Sequence, residues 1–315
     1  MRRFLVLARS AALEALAEPL SAVVFLVALL TIHWAPVFHY HQFGEAGRLA
    51  RECGFSALLV FGLVFATAAA MRVIGGEIAS GTAAVALARP VPRPLFFCAK
   101  VSGVVGAFLL FSLAVAAATV LATYASAEGA ARLAACCEEG GEPSRIWQPG
   151  LRLGTCLTLG GFVLAALANR FASARFCVTA CVCVALAQPL ALASALPFGP
   201  EGAGAMVAAL PWRIVPALGV LACGCTVFIV LAGALAVRLK PAPTVALVSA
   251  AVLSSFAWPV TGVLPVLGRF WLVEALAAGQ DSAWCGVGRT LLAAVCLVAF
   301  WLVAGSVLLQ ERELP

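Results

Sequence analysis

Charged residues fall along the chain in clusters, and between the clusters lie long stretches with no Asp, Glu, Lys or Arg. Eight strongly apolar stretches of this kind span 19–44, 53–71, 101–127, 153–169, 176–200, 214–237, 241–268 and 290–310. A helix crossing the hydrocarbon core of a bilayer takes roughly 17–25 mostly apolar residues at about 1.5 Å rise each. The pattern predicts an all-α polytopic membrane protein, a single membrane domain over 1–315. About eight transmembrane helices are expected, near 19–38, 53–71, 101–124, 153–169, 176–196, 214–237, 243–264 and 290–309. The longer runs must tilt, kink or extend into the interface. Pro259 and Pro265 break the seventh near its end. Ahead of the first run, Phe4, Leu7, Ala8, Ala11 and Ala15 recur at helical spacing among Arg2, Arg3, Arg9, Glu14 and Glu18. That spacing predicts an N-terminal interfacial helix over 1–18. An uncleaved anchor fits this segment better than a signal peptide, because the apolar run is long and lacks a convincing cleavage site. Residues 125–152 read as an outer loop.

Composition narrows the class. The chain is 63% hydrophobic and 11% charged over 315 residues, with a mean hydropathy of +1.07. A soluble domain is about 45–50% apolar and about 25% charged. Too few charges are present to cover a water-facing surface, which excludes a soluble enzyme, a disordered tail and a nucleic-acid module. The net charge of +6 is explained by topology. With the N-terminus inside, the inner segments are 1–18, 72–100, 170–175, 238–240 and 311–315. They hold twelve of the twenty Lys and Arg and five of the fourteen acids. The remaining segments are nearly balanced, so basic residues favour an N-in, C-in arrangement. Only Lys100 and Lys240 are lysines, and the Ala- and Arg-rich composition points to a GC-rich bacterial genome.

Several chemistries are missing. A phosphate-binding loop needs Gly-Lys-Ser or Gly-Lys-Thr after a glycine-rich turn. The two lysines follow Ala99 and Leu239 instead. None of the eight runs contains a carboxylate or arginine of the kind used as an ion relay. No H-E-x-x-H occurs, and no catalytic residues are assigned. His39 and His41 are weak metal candidates; with His33, Trp34 and Tyr40 they read better as an interfacial cluster. Most of the twelve cysteines lie in apolar runs, Cys177, Cys181, Cys183, Cys223 and Cys225 among them, where small thiols pack well. Cys136 and Cys137 fall in the outer loop and could pair with each other, with Cys53 or with Cys285.

The most distinctive segment lies between the second and third runs. Ser80, Gly81 and Thr82 can supply a turn and a cap. Thr82 to Arg89 is short and alanine-rich, a good helix former. Pro90, Pro92 and Pro94 then stop that helix and stiffen the connection. Arg89, Arg93 and Lys100 mark the inner interface. A short helix beside the membrane can pass force from a cytoplasmic partner into two spans.

The pattern Glu77-x-x-x-Gly81-Thr82, a short helix, then Arg89-Pro90-Val91-x-Arg93 and Lys100 resembles the permease subunits of type-2 ABC exporters. Where that family commonly has Leu-Leu-Ser, this chain has Ala86-Leu87-Ala88. Arg269 to Gly279 and Leu308 to Pro315 are similar to the ends of a bacterial subgroup. The resemblance implies a coupling region over 75–94 with a short cytoplasmic coupling helix. It also implies an outer-face helix over 268–280 with Phe270 and Trp271 apolar and Glu274 polar. Family members commonly have six spans, so a six-helix permease core is implied. Implied partners are a separate ABC ATPase subunit, which binds ATP and Mg, and a second permease subunit, alike or different. Glu77, Gly81, Thr82, Arg89 and Arg93 are the implied ATPase-coupling residues. The expected function is therefore a non-catalytic, multi-pass permease subunit of an ATP-driven exporter in a bacterial cytoplasmic membrane. Its partners are these subunits and the lipid bilayer, with no nucleic acid, and the chain itself binds no cofactor. The alternative is a membrane-embedded enzyme or assembly factor acting on a lipid or cofactor through His33, His39, His41, Glu45 and Arg48 at the outer face. A structural anchor recruiting cytoplasmic proteins through the arginine-rich loops is a third class.

Overall fold

The computed structural model describes residues 1–37, 47–87, 92–138, 149–194, 214–257, 267–270 and 282–312. Among the described residues there is helix and turn but no strand. The chain opens with α1 (Arg2–Ala17) and α2 (Pro19–Trp34), bent by 68° at Glu18. The bend has local causes. Glu18 is extended, with ψ of 132°, and Pro19 lacks the N–H that would continue the first helix. The Ser21 hydroxyl then donates to the Ala15 carbonyl at 2.7 Å, satisfying an acceptor left over in the last turn of α1.

α3 (Arg48–Ala70) runs into a π-helical segment, Met71–Gly76, and a last helical turn, α4 (Glu77–Ala79). After α5 (Thr82–Leu87) comes the long α6 (Arg93–Glu138). Pro94 sits in its first turn, where a missing N–H costs nothing. α7 (Pro149–Ala172), α8 (Phe176–Ser194), α9 (Ile214–Ala236), α10 (Pro241–Ala257), the short α11 (Leu267–Phe270) and α12 (Ser282–Gln310) follow.

Among the described residues six helices are long and apolar enough to cross a membrane, or seven if the bent pair α1–α2 counts as one span. Eight were expected. The difference lies at two places. α2 alone has 16 residues and α10 has 17, both short of the roughly 20 that a perpendicular span takes. The rest of the seventh run, with Pro259 and Pro265, lies outside the described residues. Helix also occupies both ends of the expected outer loop, because α6 continues to Glu138 and α7 begins at Pro149.

Apolar side chains cover the outside of several of these helices. Leu292, Val295, Phe300, Val303 and Val307 are exposed on α12, and Leu159, Val163, Leu164, Leu167 and Phe171 on α7. Apolar faces this continuous are solvated by lipid or by another chain, not by water. Together with the six apolar helices they make this a multi-pass helical membrane architecture.

The chain forms two compact units. One comprises 1–21, 62–109 and 219–315. Its core joins Ile74, Ile78 and Ala83 to Phe96, Phe97 and Val101 of α6, to Val230 and Ala234 of α9 and Val237 just beyond it, and to Leu309 of α12. Small residues let these helices close up. A Cβ on Gly305 would collide with the Phe97 ring and meet Ala234, and one on Gly103 would collide with the Ala8 carbonyl oxygen of α1. Phe270, from the expected outer-face segment, is buried against Gly224; residues 271–281 lie outside the described set.

The other unit comprises 22–61 and 110–218. Phe25 of α2 packs edge-to-face on Phe111 of α6, with ring centroids 5.0 Å apart. Gly54 of α3 faces Thr119 of α6 with no room for a side chain, and Gly161 of α7 lies against Val184 of α8. Gly160, by contrast, faces open space, as does Gly106 of the first unit.

Candidate functional site

The segment singled out by its sequence, 72–100, carries Arg72, Glu77, Arg89, Arg93 and Lys100. The π segment inserts extra backbone at the end of α3. Each residue so inserted turns everything downstream by about 100° relative to an unbroken helix. Glu77, just beyond it, faces the side chain of Lys100 on α6. The Lys100 ammonium donates to Glu77 Oε1 at 2.5 Å and lies 3.7 Å from Glu14 Oε2 of α1. It is 3% exposed and also sits 5.8 Å from the Phe96 ring. Beside this knot, Arg72 pairs with Glu18 at 3.5 Å.

A buried ammonium is tolerated only when ionic partners replace its water. Here two carboxylates from two different elements do so, and the ion pairs tie α1, α4 and α6 together. Glu77 Oε2 is buried with no partner. Burial also raises the Glu14 carboxyl above its ordinary range; Lys100 pulls the other way, and the Glu77 carboxylate adds to the rise.

Beyond Glu77 the chain makes a tight turn. Gly81 has φ of +72° with nothing within 4 Å of where a Cβ would stand, so its need for glycine is conformational and not steric. The Ser80 and Thr82 hydroxyls both donate to the Glu77 carbonyl, at 3.3 and 3.2 Å, and lie 2.9 Å from each other. Ala79, Ser80 and Thr82 are exposed, while Ile78, Ala83 and Leu87 anchor the segment in the core. The result is a polar turn held firmly from below.

The expected coupling residues are therefore placed in three ways. Gly81 and Thr82 form the turn itself. Glu77 is engaged inward by Lys100. Arg93 turns away to the far end of the chain, where its guanidinium donates to the carbonyls of Gln310 (2.7 Å), Arg312 (3.2 Å) and Leu309 (3.4 Å). It caps the last turn of α12, whose carbonyls would otherwise lack partners. Nearby, Arg238 pairs with Glu311 at 3.1 Å. Arg89 lies outside the described residues.

Sequence reading placed Lys100 at the interface and missed that it is buried. No spacing in the sequence signals it, because the 23 positions between Glu77 and Lys100 are brought into contact only by the fold.

In the second unit, His33 is buried and its Nε2–H is paired with Gln188 Oε1 at 2.9 Å. Gln188 in turn donates to Thr158 Oγ1 at 2.8 Å, and Thr158 to the Gly154 carbonyl at 2.8 Å. The ring lies directly against Gly154, which has no space for a Cβ. This polar chain ties α2, α7 and α8 together across an apolar interior. Of the outer-face set, Arg48 pairs with Glu52 at 2.8 Å, and His39, His41 and Glu45 lie outside the described residues. Among the described residues no three His, Cys, Asp or Glu side chains gather as metal ligands. Cys177, Cys181, Cys183, Cys223 and Cys225 are unpaired thiols, while the side chains of Cys136 and Cys137 lie outside the described set. No family model, no curated protein and no solved structure matches this chain.

Proposed function

We propose that this chain is the membrane-spanning permease subunit of an ATP-driven transporter of the ABC exporter kind, seated in a bacterial cytoplasmic membrane with both termini inside. A separate ATPase subunit supplies ATP hydrolysis, and a second permease subunit completes the path. The observation that carries this reading is the turn at 79–82. It is exposed and polar, yet its root is fixed to α1 and α6 through Lys100 and to α9 and α12 through Ile78 and Ala83. A load applied to such a turn passes into several membrane helices at once, because packed cores shift as units and do not deform continuously. The motif resemblance of Glu77, Gly81 and Thr82 supports the same reading. Glu77 and Arg93 act in it as internal braces of the coupling region, and the ATPase meets the exposed turn.

The test is purification of the full chain from its native membrane in mild detergent, with identification of any co-purifying P-loop ATPase and assay of its activity. Ala79→Arg places a bulky cation on the exposed turn without touching the core. It is expected to release the ATPase while leaving expression and helical content unchanged. Retained binding and transport in that variant, or the absence of an ATPase from the wild-type complex, overturns the proposal.

A further inference from the structure

The N-terminal helix has two faces, and the structure uses them differently from the simplest sequence reading. The regular apolar stripe is turned into the protein. Ala11 and Ala15 are fully buried, Phe4 and Leu7 are partly covered, and the Ala8–Ala12 backbone lies directly on Gly103 of α6. That stripe is unavailable to the bilayer. What α1 presents outward is a mixed face: Leu5 at 65% exposure, Val6 at 63% and Leu13 at 37%, interleaved with exposed Arg2 and Arg9. The spacing places them together, since Arg2, Leu5 or Val6, Arg9 and Leu13 follow one another at three or four residues along one side of a helix. The acids of this segment lie at its other end, and both are engaged: Glu14 by Lys100 and Glu18 by Arg72.

We propose that this outward face docks on an anionic phospholipid surface, with Leu5, Val6 and Leu13 dipping below the headgroups and the guanidinium groups of Arg2 and Arg9 meeting lipid phosphates. Water alone would leave three large apolar side chains exposed side by side. The hydrocarbon core would strip two arginines of their hydration. Only the headgroup layer satisfies both, with the arginine stems lying along the apolar boundary and their heads reaching outward. Charge complementarity selects anionic over zwitterionic headgroups, at about fivefold per arginine near such a surface. Because Glu14 and Glu18 bolt the same helix to Lys100 and Arg72, a helix seated on lipid also steadies the charged knot.

The experiment uses the full chain in nanodiscs of phosphatidylcholine alone and of phosphatidylcholine with one-third phosphatidylglycerol, and reads amide hydrogen exchange over residues 2–17. Exchange in α1 is expected to slow on adding phosphatidylglycerol, by up to about 25-fold if both arginines act independently. High salt should erase the difference. The double variant Arg2→Gln/Arg9→Gln should exchange equally in both lipids, while Arg2→Lys/Arg9→Lys keeps the response; unchanged protection of α6 amides certifies the fold. Equal α1 exchange of the wild type in the two lipids overturns the proposal on its own. A glutamine double variant that still responds to phosphatidylglycerol overturns it too.

Discussion

Removing the cation at the centre of the charged knot is the sharpest test of how the coupling segment is held. At an effective dielectric of about 20, unit charges at the observed 2.5 and 3.7 Å attract by about 7 and about 4.5 kcal/mol before desolvation is counted. Withdrawing the ammonium from water consumes much of this. Breaking a buried pair from one side nevertheless costs about 3–5 kcal/mol, since the remaining charge is stranded. Lys100→Met should therefore destabilise strongly: Glu77 already has one unpartnered oxygen, and the substitution orphans the other. Glu77→Gln should cost less, because Glu14 still faces the ammonium. The decisive variant is Lys100→Met/Glu77→Gln, which removes both the buried cation and its nearest anion. It should be more stable than the sum of the single losses predicts, by about 2 kcal/mol for residues in direct contact. Reversible unfolding in mixed micelles, followed by helical circular dichroism, measures all three. Additive losses, or a single Lys100→Met loss under about 1 kcal/mol, would refute a buried, coupled pair.

Four further outcomes follow from the same geometry. The Glu14 carboxyl is raised by burial, so the folded state holds its proton more tightly than the unfolded chain does. Stability then falls as pH rises from the ordinary carboxyl range through the raised value, and Glu14→Gln should flatten that part of a melting-temperature profile. Gly81→Val meets no neighbour but is strained at positive φ; a loss of about 1–2 kcal/mol is expected, with Gly81→Asn milder, and equal losses for the two would contradict a conformational role. Arg93→Ala frees three carbonyls at the end of α12, so amide exchange over 307–312 should accelerate while α9 is unaffected. Gln188→Leu strands the His33 Nε2–H and leaves Thr158 without its donor, at an expected cost of about 1–3 kcal/mol in the same unfolding assay.

Much of the architecture was legible from the distribution of charge alone. A run without Asp, Glu, Lys or Arg can be a lipid-solvated helix wherever it sits, because the requirement is local: backbone groups pair within the segment and side chains meet hydrocarbon. The six described helices that are long and apolar enough to span, α3 with its continuation to Ala79, α6, α7, α8, α9 and α12, each overlap such a run. The turn at Gly81 was legible for a similar reason, since its backbone conformation and hydroxyl caps involve residues within five positions of one another. The runs that fell short, α2 and α10, begin at Pro19 and Pro241 as the runs do, and their described α-helix ends at Trp34 and Ala257.

What composition and periodicity could not reach was the direction each polar side chain takes. Lys100 and Arg93 are both basic residues beside the same apolar run, and their sequence context does not distinguish them. One is buried between two carboxylates, and the other caps a helix more than two hundred positions away. Likewise the apolar stripe of α1 is written in its sequence, but whether lipid or Gly103 covers it is not. The chain by itself determines helix, turn and membrane affinity, because those depend on neighbours along the backbone. Only the tertiary structure decides which charges are buried, which are paired and which faces remain for a partner, because burial depends on what other segments bring into contact.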